Sequence, residues 1–404
     1  MPFETFKLAN GIKLIHKYID SPVAYCALIA NTGSRDEQDD ESGVAHLVEH
    51  LIFKETNKRK SHHILSRLEN VGGELNAYTT KEETCVHAAF LSNYYARALD
   101  LMSDLMFNQK ITGKTLELEK KVVLDEIRSC KDNPSELIFD EFDTMMFPLH
   151  SLGYNTLGTE KSVKALSKKT VERFIECNYF TNEIIISSIG KISFQQLIKY
   201  SEKYFGNIPV KERVTGRVRP SVASPFERRI SRKTHQAHCV LGTVCNGNGP
   251  RYRMGMTMLA NILGGPGMNT RLNISLREKT GWVYHVESSY ISYSDIGIFN
   301  TYFGTERSNL EKCIKRVEQE IIQLKNKRLS DFQMNRLRQQ MIGQFAIAFD
   351  NSEAQMLSAG KNFLMFDKTE NLSDIIELIN DINAVYLQDL ALESFNSLSF
   401  LIYQ

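Results

Sequence analysis

The sequence predicts an α+β protein built from two similar units of about 200 residues each. Three observations carry that expectation. A chain of 404 residues exceeds what one compact core holds, since roughly 150 residues per domain is usual. The first half runs strand, helix, strand. The same order then returns beyond a stretch, residues 209–225, that holds Pro209, Pro220 and Pro225 among charged residues with almost no periodicity. The expected domains are therefore 1–208 and 226–404, with 209–225 as the linker.

The elements follow in order. Phe6 to His16, with a turn at Asn10-Gly11, and Val23 to Ala30 are apolar stretches that read as strands. A helical pattern opens at Gly43, and Ser61 to Val71 is amphipathic and stops at Gly72-Gly73. Glu74 to Leu91 alternates like paired strands, and Thr115 to Cys130 reads as a helix. Beyond the linker, His238 to Val244 reads as a strand, Tyr252 to Leu263 as a helix ending at Gly264-Gly265, and Val283 to Phe303 as two paired strands. Residues 307–338 are charge-rich, with Ile314, Val317, Ile321 and Leu324 at helical spacing, and read as one solvated amphipathic helix.

Composition excludes several classes. With 42% hydrophobic residues the chain can bury large cores. A formal charge of +1 lacks the basic excess of a nucleic-acid or anionic-membrane binder. The seven cysteines are scattered, odd in number and without a CxxC pair, which favours a reducing compartment. The amino terminus shows no signal-peptide pattern, and no apolar run reaches the roughly 18 residues of a membrane span. A cytoplasmic protein is expected.

The chemistry concentrates in Gly43-Val44-Ala45-His46-Leu47-Val48-Glu49-His50, which contains HxxEH. Histidines four apart on a helix share one face, one turn apart, and can reach a single zinc ion. Glu49 projects towards the same place, in the inverted order of the zincin HExxH pattern. Such an acid is what metal-assisted hydrolysis requires, because water acidified by zinc must hand its proton to a nearby base. The same spacing also suits two half-buried histidines that hydrogen-bond locally.

A catalytic zinc takes three protein ligands, so a further carboxylate is expected on another rigid element. On the helix from Thr115 to Cys130, Glu119 and Glu126 fall inside the apolar arc formed by Val122, Val123, Ile127 and Cys130, whereas Glu117 and Asp125 fall outside it. Inward carboxylates must be coordinated, ion-paired or hydrogen-bonded. Periodicity does not rank the two, and an inward lysine would satisfy either. His62-His63 and the pair His235 and His238 diverge in direction and are read as ordinary residues.

These residues resemble the pitrilysin, insulinase and mitochondrial processing peptidase family, most closely its bacterial half-length members. HxxEH is followed 76 residues after His50 by Glu126, with Glu119 seven before it. The resemblance extends through Gly33-Ser34-Arg35-Asp36, the stretch from Gly72 to Thr79, Leu152-Gly153, Leu157-Gly158-Thr159, the glycine-rich Gly264 to Leu272, and Leu276 to Tyr284. It implies two sandwich domains of the processing-peptidase type, each a mainly antiparallel sheet packed with helices. It also implies one Zn²⁺ per chain on His46, His50 and Glu126, with Glu49 as general base and Glu119 supporting the site. Arg277 and Tyr284 would contact substrate and polarise the scissile carbonyl, and the edge strand with Asn76, Ala77 and Tyr78 would hold an extended peptide. Longer relatives fuse four such domains into a closing shell. A two-domain chain is therefore expected to pair, as a homodimer or with a related subunit, placing Arg277 and Tyr284 across an enclosed chamber. Glu55, where a glycine is usual, and Trp282, where leucine is commoner, depart from the pattern. The implied activity is zinc-dependent endoproteolysis of peptides or unfolded polypeptides; the rival is a non-catalytic or partner-dependent subunit.

Overall fold

The structure, a computed structural model, describes residues 2–404 except Asn246, Asn248 and Glu370. It comprises two compact units, each assembled from three separated segments: residues 1–128, 154–218 and 347–371, and residues 129–153, 219–346 and 372–404.

The first unit holds a six-stranded sheet of β1 (Glu4–Lys7), β2 (Lys13–Tyr18), β3 (Val23–Ala30), β4 (Glu74–Thr79), β5 (Thr84–Leu91) and β6 (Ile184–Gly190), in the order β1-β2-β6-β3-β5-β4. Only β2 and β6 run parallel; the other neighbours are antiparallel. Alternate residues serve opposite faces, as the pleat dictates. Leu28, Val86 and Ile186 join the core beneath the helices Val44–Ile52, Tyr95–Phe107, Gly113–Lys131, Lys168–Asn178 and Phe194–Phe205. Ile29, Cys85 and Ile185 point the other way, into a cluster with Met356, Ala359 and Leu364 of the helix Ser352–Phe366.

The second unit repeats the plan with five strands: β7 (Glu227–Ile230), β8 (Ala237–Cys245), β9 (Val283–Ser292), β10 (Gly297–Thr305) and β11 (Ser399–Tyr403). Their order is β7-β11-β8-β10-β9, again with one parallel pair, β7 with β11. It matches β2-β6-β3-β5-β4 position for position, so the internal repeat expected from the sequence is present. One face, with Val240, Ile298 and Leu401, buries Ile138, Phe142 and Met146 of the helix Pro134–Met146. Each sheet therefore has a face covered by a helix from the other half of the chain.

The helix Ser352–Phe366 is tied down by more than apolar burial. The Ser187 hydroxyl donates to the Met356 carbonyl at 2.6 Å, Lys361 lies 3.1 Å from Glu83, and His87 Nδ1 sits 2.8 Å from Glu353. Gly360 permits the close approach: a Cβ there would meet Ile29 Cδ1 and Ser187 Cβ at 2.8 Å.

Residues 209–225 carry neither helix nor strand. They are nonetheless anchored to the first unit, where Arg213 and Arg217 reach the Asp36 carboxylate at 3.1 and 2.7 Å. The single helix expected over 307–338 is in fact two, Leu310–Asn326 and Asp331–Asp350. Lys327 is extended, and the Ser330 hydroxyl accepts the N–H of Gln333 at 3.3 Å, so a serine cap restarts the helix.

Replacing Gly360 by valine is expected to lower stability by about 1–3 kcal/mol through overpacking. Chemical denaturation measures this, and an unchanged midpoint would mean that the helix does not seat on the sheet as described.

Candidate metal centre

The helix Val44–Ile52 buries Val44, Ala45, Leu47, Val48, Leu51 and Ile52, which turns His46, Glu49 and His50 to its half-buried side. Its start is unusual. Gly43, the residue before it, has φ 93° and offers no side-chain cap, and a Cβ there would lie 2.7 Å from the Leu157 carbonyl. Glycine alone suits both constraints. The capping role passes to Glu37, whose carboxylate accepts the N–H of Gly43 at 3.0 Å and that of Ala45 at 2.9 Å. A carboxylate at a helix N-terminus satisfies orphan donors and opposes the helix dipole.

The third group comes from the helix Gly113–Lys131. Its buried residues are Leu116, Glu119, Lys120, Val123, Leu124 and Ile127. The apolar arc is thus rotated from the expected one: Val122 is 43% exposed, Cys130 is only half-buried, and Leu124 is buried in their stead. Rotation leaves Glu126 at the margin of the arc, its side chain 40% exposed, while that of Glu119 is 7% exposed.

The two helices bring the three groups together. Ligand atoms of His46, His50 and Glu126 all lie within 4.8 Å of one another. Glu126 Oε2 is 3.7 Å from His46 Nε2 and 3.4 Å from His50 Nε2. Tetrahedral zinc with bonds of roughly 2.0–2.1 Å separates neighbouring ligand atoms by about 3.4 Å. Glu126 Oε2 is also buried without a hydrogen-bond partner, as suits an atom meant for a metal. The donor set therefore fits a zinc ion.

Electrostatics favour the same conclusion. Burial, helped by the neighbouring His50, pulls the His46 imidazole down to about 4, so it stays neutral with a lone pair available. Glu119 Oε2 lies 3.4 Å from His50 Nδ1, and Lys54 Nζ is 3.0 Å from Glu119 Oε1. Glu119 thus contacts a histidine of the donor set and a lysine at once, the lysine reaching it from a side chain that is 36% exposed and not from the core. Burial raises the Glu49 pKa, opposed by hydrogen bonding to Thr79 on β4 and by His50.

β4 forms the sheet edge beside the helix Val44–Ile52. Ala77 packs into the core on the helix side, and Asn76 is exposed. Tyr78 faces the opposite side, against the Met356 cluster, with its hydroxyl donating to Glu83 at 3.3 Å. Its ring is thus turned away from the donor set, and its main chain is what the edge can offer. Arg277 and Tyr284 belong to the second unit. They sit side by side, the guanidinium 5.3 Å from the centre of the Tyr284 ring, and Tyr284 is 80% exposed. A cleft of about 430 Å³ adjoins Arg277, lined in part by Gly264, Gly265 and Asn273. Glu55 is held by Lys60 and Lys110 at 2.7 and 2.9 Å. Sequence reasoning missed Glu37, Lys54 and Thr79. A cap six residues before Gly43 leaves no local spacing signal, and neither does an ion pair between the turn after one helix and the face of another.

Comparison with known proteins bears on this geometry. Residues 14–160 match the family profile described as Insulinase (Peptidase family M16), and residues 165–341 match Peptidase M16 inactive domain. A Bacillus subtilis protein named "Uncharacterized zinc protease YmxG" is 30% identical over 391 residues, 96% of this chain and 94% of that one. The chain belongs to peptidase family M16. "Uncharacterized zinc protease SCO5738" of Streptomyces coelicolor is 29% identical across 94% of this chain and 85% of its own. Among solved structures, a protease from Helicobacter pylori superposes with TM-score 0.93 over the whole of both chains, at 18% identity. A Pseudomonas fluorescens structure titled as an M16 inactive domain gives 0.91 at 18% identity, covering 100% of this chain and 98% of that one. These structures share the fold. The match of the second half to the inactive-domain profile agrees with a histidine pair confined to the first, and among the described residues no helix is long and apolar enough to cross a membrane.

Glu37 gives this M16 chain a pH signature. Burial pushes its carboxyl up to about 8, although the two N–H groups and Lys81 pull it down. A folded-state pKa above the unfolded one means the folded chain holds the proton more tightly, so this contribution is complete at low pH and declines as pH rises towards 8. Glu37→Gln should remove that decline. Denaturation at pH 5 and pH 8 checks it, and an identical pH slope in both proteins would count against it.

Proposed function

We propose that the chain is a zinc-dependent endopeptidase that hydrolyses peptides or unfolded polypeptides. The observation that carries this reading is the meeting of His46, His50 and Glu126 donor atoms within 4.8 Å, with half-buried Glu49 on the same helix. His46 and His50 through their Nε2 atoms, and Glu126 through Oε2, would hold the metal. A bound zinc supplies Lewis acidity, bringing the pKa of water to about 7 and polarising a carbonyl. Glu49 takes the proton of the attacking water on its carboxylate and returns it to the leaving amine. A substrate strand added along β4 would align through main-chain hydrogen bonds at Asn76, Ala77 and Tyr78.

Arg277 and Tyr284 complete the reading as donors to the carbonyl oxygen as charge builds there. Their adjacency and the exposure of Tyr284 suit a pair that meets substrate from another chain. The reading therefore includes a dimer that encloses the substrate, with each Arg277 and Tyr284 serving the partner's metal centre. The cysteines, all seven free thiols, agree with a cytoplasmic setting.

Glu49→Gln should keep zinc yet lose about 10²–10⁴-fold in peptide cleavage, whereas His50→Ala should lose the zinc itself. Metal analysis and a peptide-cleavage assay on the purified chain decide this, and near-normal turnover by Glu49→Gln would remove Glu49 as the base. The dimer is tested by mixing inactive Glu49→Gln and Arg277→Ala chains. A shared site predicts recovered cleavage, because one site per mixed dimer is complete; continued inactivity of the mixture would argue for sites built within one chain.

A further inference from the structure

We propose that Lys54 is a positioning residue of the metal centre: by holding one oxygen of the Glu119 carboxylate, it fixes the other against His50 and so sets how firmly the site grips zinc. The inference rests on the metal-binding reading above and extends it to a residue outside the HxxEH motif. Lys54 stands two residues beyond the end of the helix Val44–Ile52, where its N–H donates to the Leu51 carbonyl at 3.0 Å. Three contacts then run in series. Lys54 Nζ is 3.0 Å from Glu119 Oε1, Glu119 Oε2 is 3.4 Å from His50 Nδ1, and His50 Nε2 is 3.4 Å from Glu126 Oε2.

Each contact has a distinct effect. A histidine that ligates through Nε2 must carry its proton on Nδ1, and a carboxylate at Nδ1 selects that tautomer and fixes the ring plane. Glu119 can do so only as an anion with a settled orientation. Its side chain is 7% exposed, and a neutral imidazole alone compensates such a buried charge poorly. The Lys54 ammonium supplies the missing positive charge from the solvent side, where its own side chain is 36% exposed. Lysine binds one oxygen as a point charge, which leaves the second oxygen for His50.

The test compares Lys54→Met, which keeps the apolar stem and removes the charge, with Lys54→Arg, which keeps the charge. Zinc affinity is measured by competition with a chromogenic chelator, and the geometry of the site by the visible absorption of the cobalt(II)-loaded chain. Lys54→Met should bind zinc about 10–100-fold more weakly and show an altered cobalt spectrum, at a temperature where its metal-free form is still fully folded by circular dichroism. Lys54→Arg should restore most of the affinity. Wild-type zinc affinity in Lys54→Met would overturn the assignment, as would a loss that Lys54→Arg shares in full or an unaltered cobalt spectrum in Lys54→Met. Should Lys54→Met not fold, Lys54→Gln is measured by the same criteria. A wild-type chain that takes up no zinc would instead bring down the metal-centre reading, and this assignment with it.

Discussion

Three polar groups that burial makes costly meet at one place in the first unit, and the surrounding structure is organised around keeping them there. His46 and His50 are fixed relative to each other by one turn of helix, whereas Glu126 arrives from a helix that begins at Gly113. Their convergence depends on how those two helices are seated. The apolar undersides of both pack into one core with Leu28 and Val86 of the sheet, so the relative position of the donor atoms is decided by close packing. Close-packed interiors resist small displacements, which is what a site with tolerances of a few tenths of an ångström demands.

The polar surroundings do complementary work. Glu37 anchors the start of the motif helix from six residues before Gly43, while Glu119 and Lys54 stand behind His50. None of these groups lies in the HxxEH motif. They satisfy N–H groups and charges that burial would otherwise leave uncompensated. The sheet follows a parallel logic: β6 is buried along its whole length, so both faces require a cover. The second cover comes from residues 352–366, far along the chain. Linkage of distant segments makes the first unit dependent on sequence from the other half.

Residues with regular periodicity were the legible part. The motif helix, the helix with the two acids, the strand pairs 74–91 and 283–303, and the repeat itself all follow from spacing that one face of a helix or strand imposes. Where reading failed, a neighbour intervened. Val122 and Leu124 are equally apolar, and only the packed core decides that Leu124 is inside. A serine cap at Ser330 interrupts a pattern that otherwise looks continuous. Tyr78 lies on the expected edge strand, yet the pleat turns its ring towards Met356 and away from the histidines.

By itself the sequence determined two imidazoles and an acid on one helical turn, two carboxylates at or near the apolar arc of a helix downstream, and a twofold α+β plan. Those features are local, because side-chain direction repeats every 3.6 or 2 residues along the chain. Tertiary structure brings Glu126 to the histidines and sets Glu119 behind His50, an order that the family resemblance implied and that periodicity left open. It also decided that Lys54 balances Glu119 and that each sheet borrows a helix from the other half. Such choices arise from contacts between segments tens to hundreds of residues apart, and no local period records them.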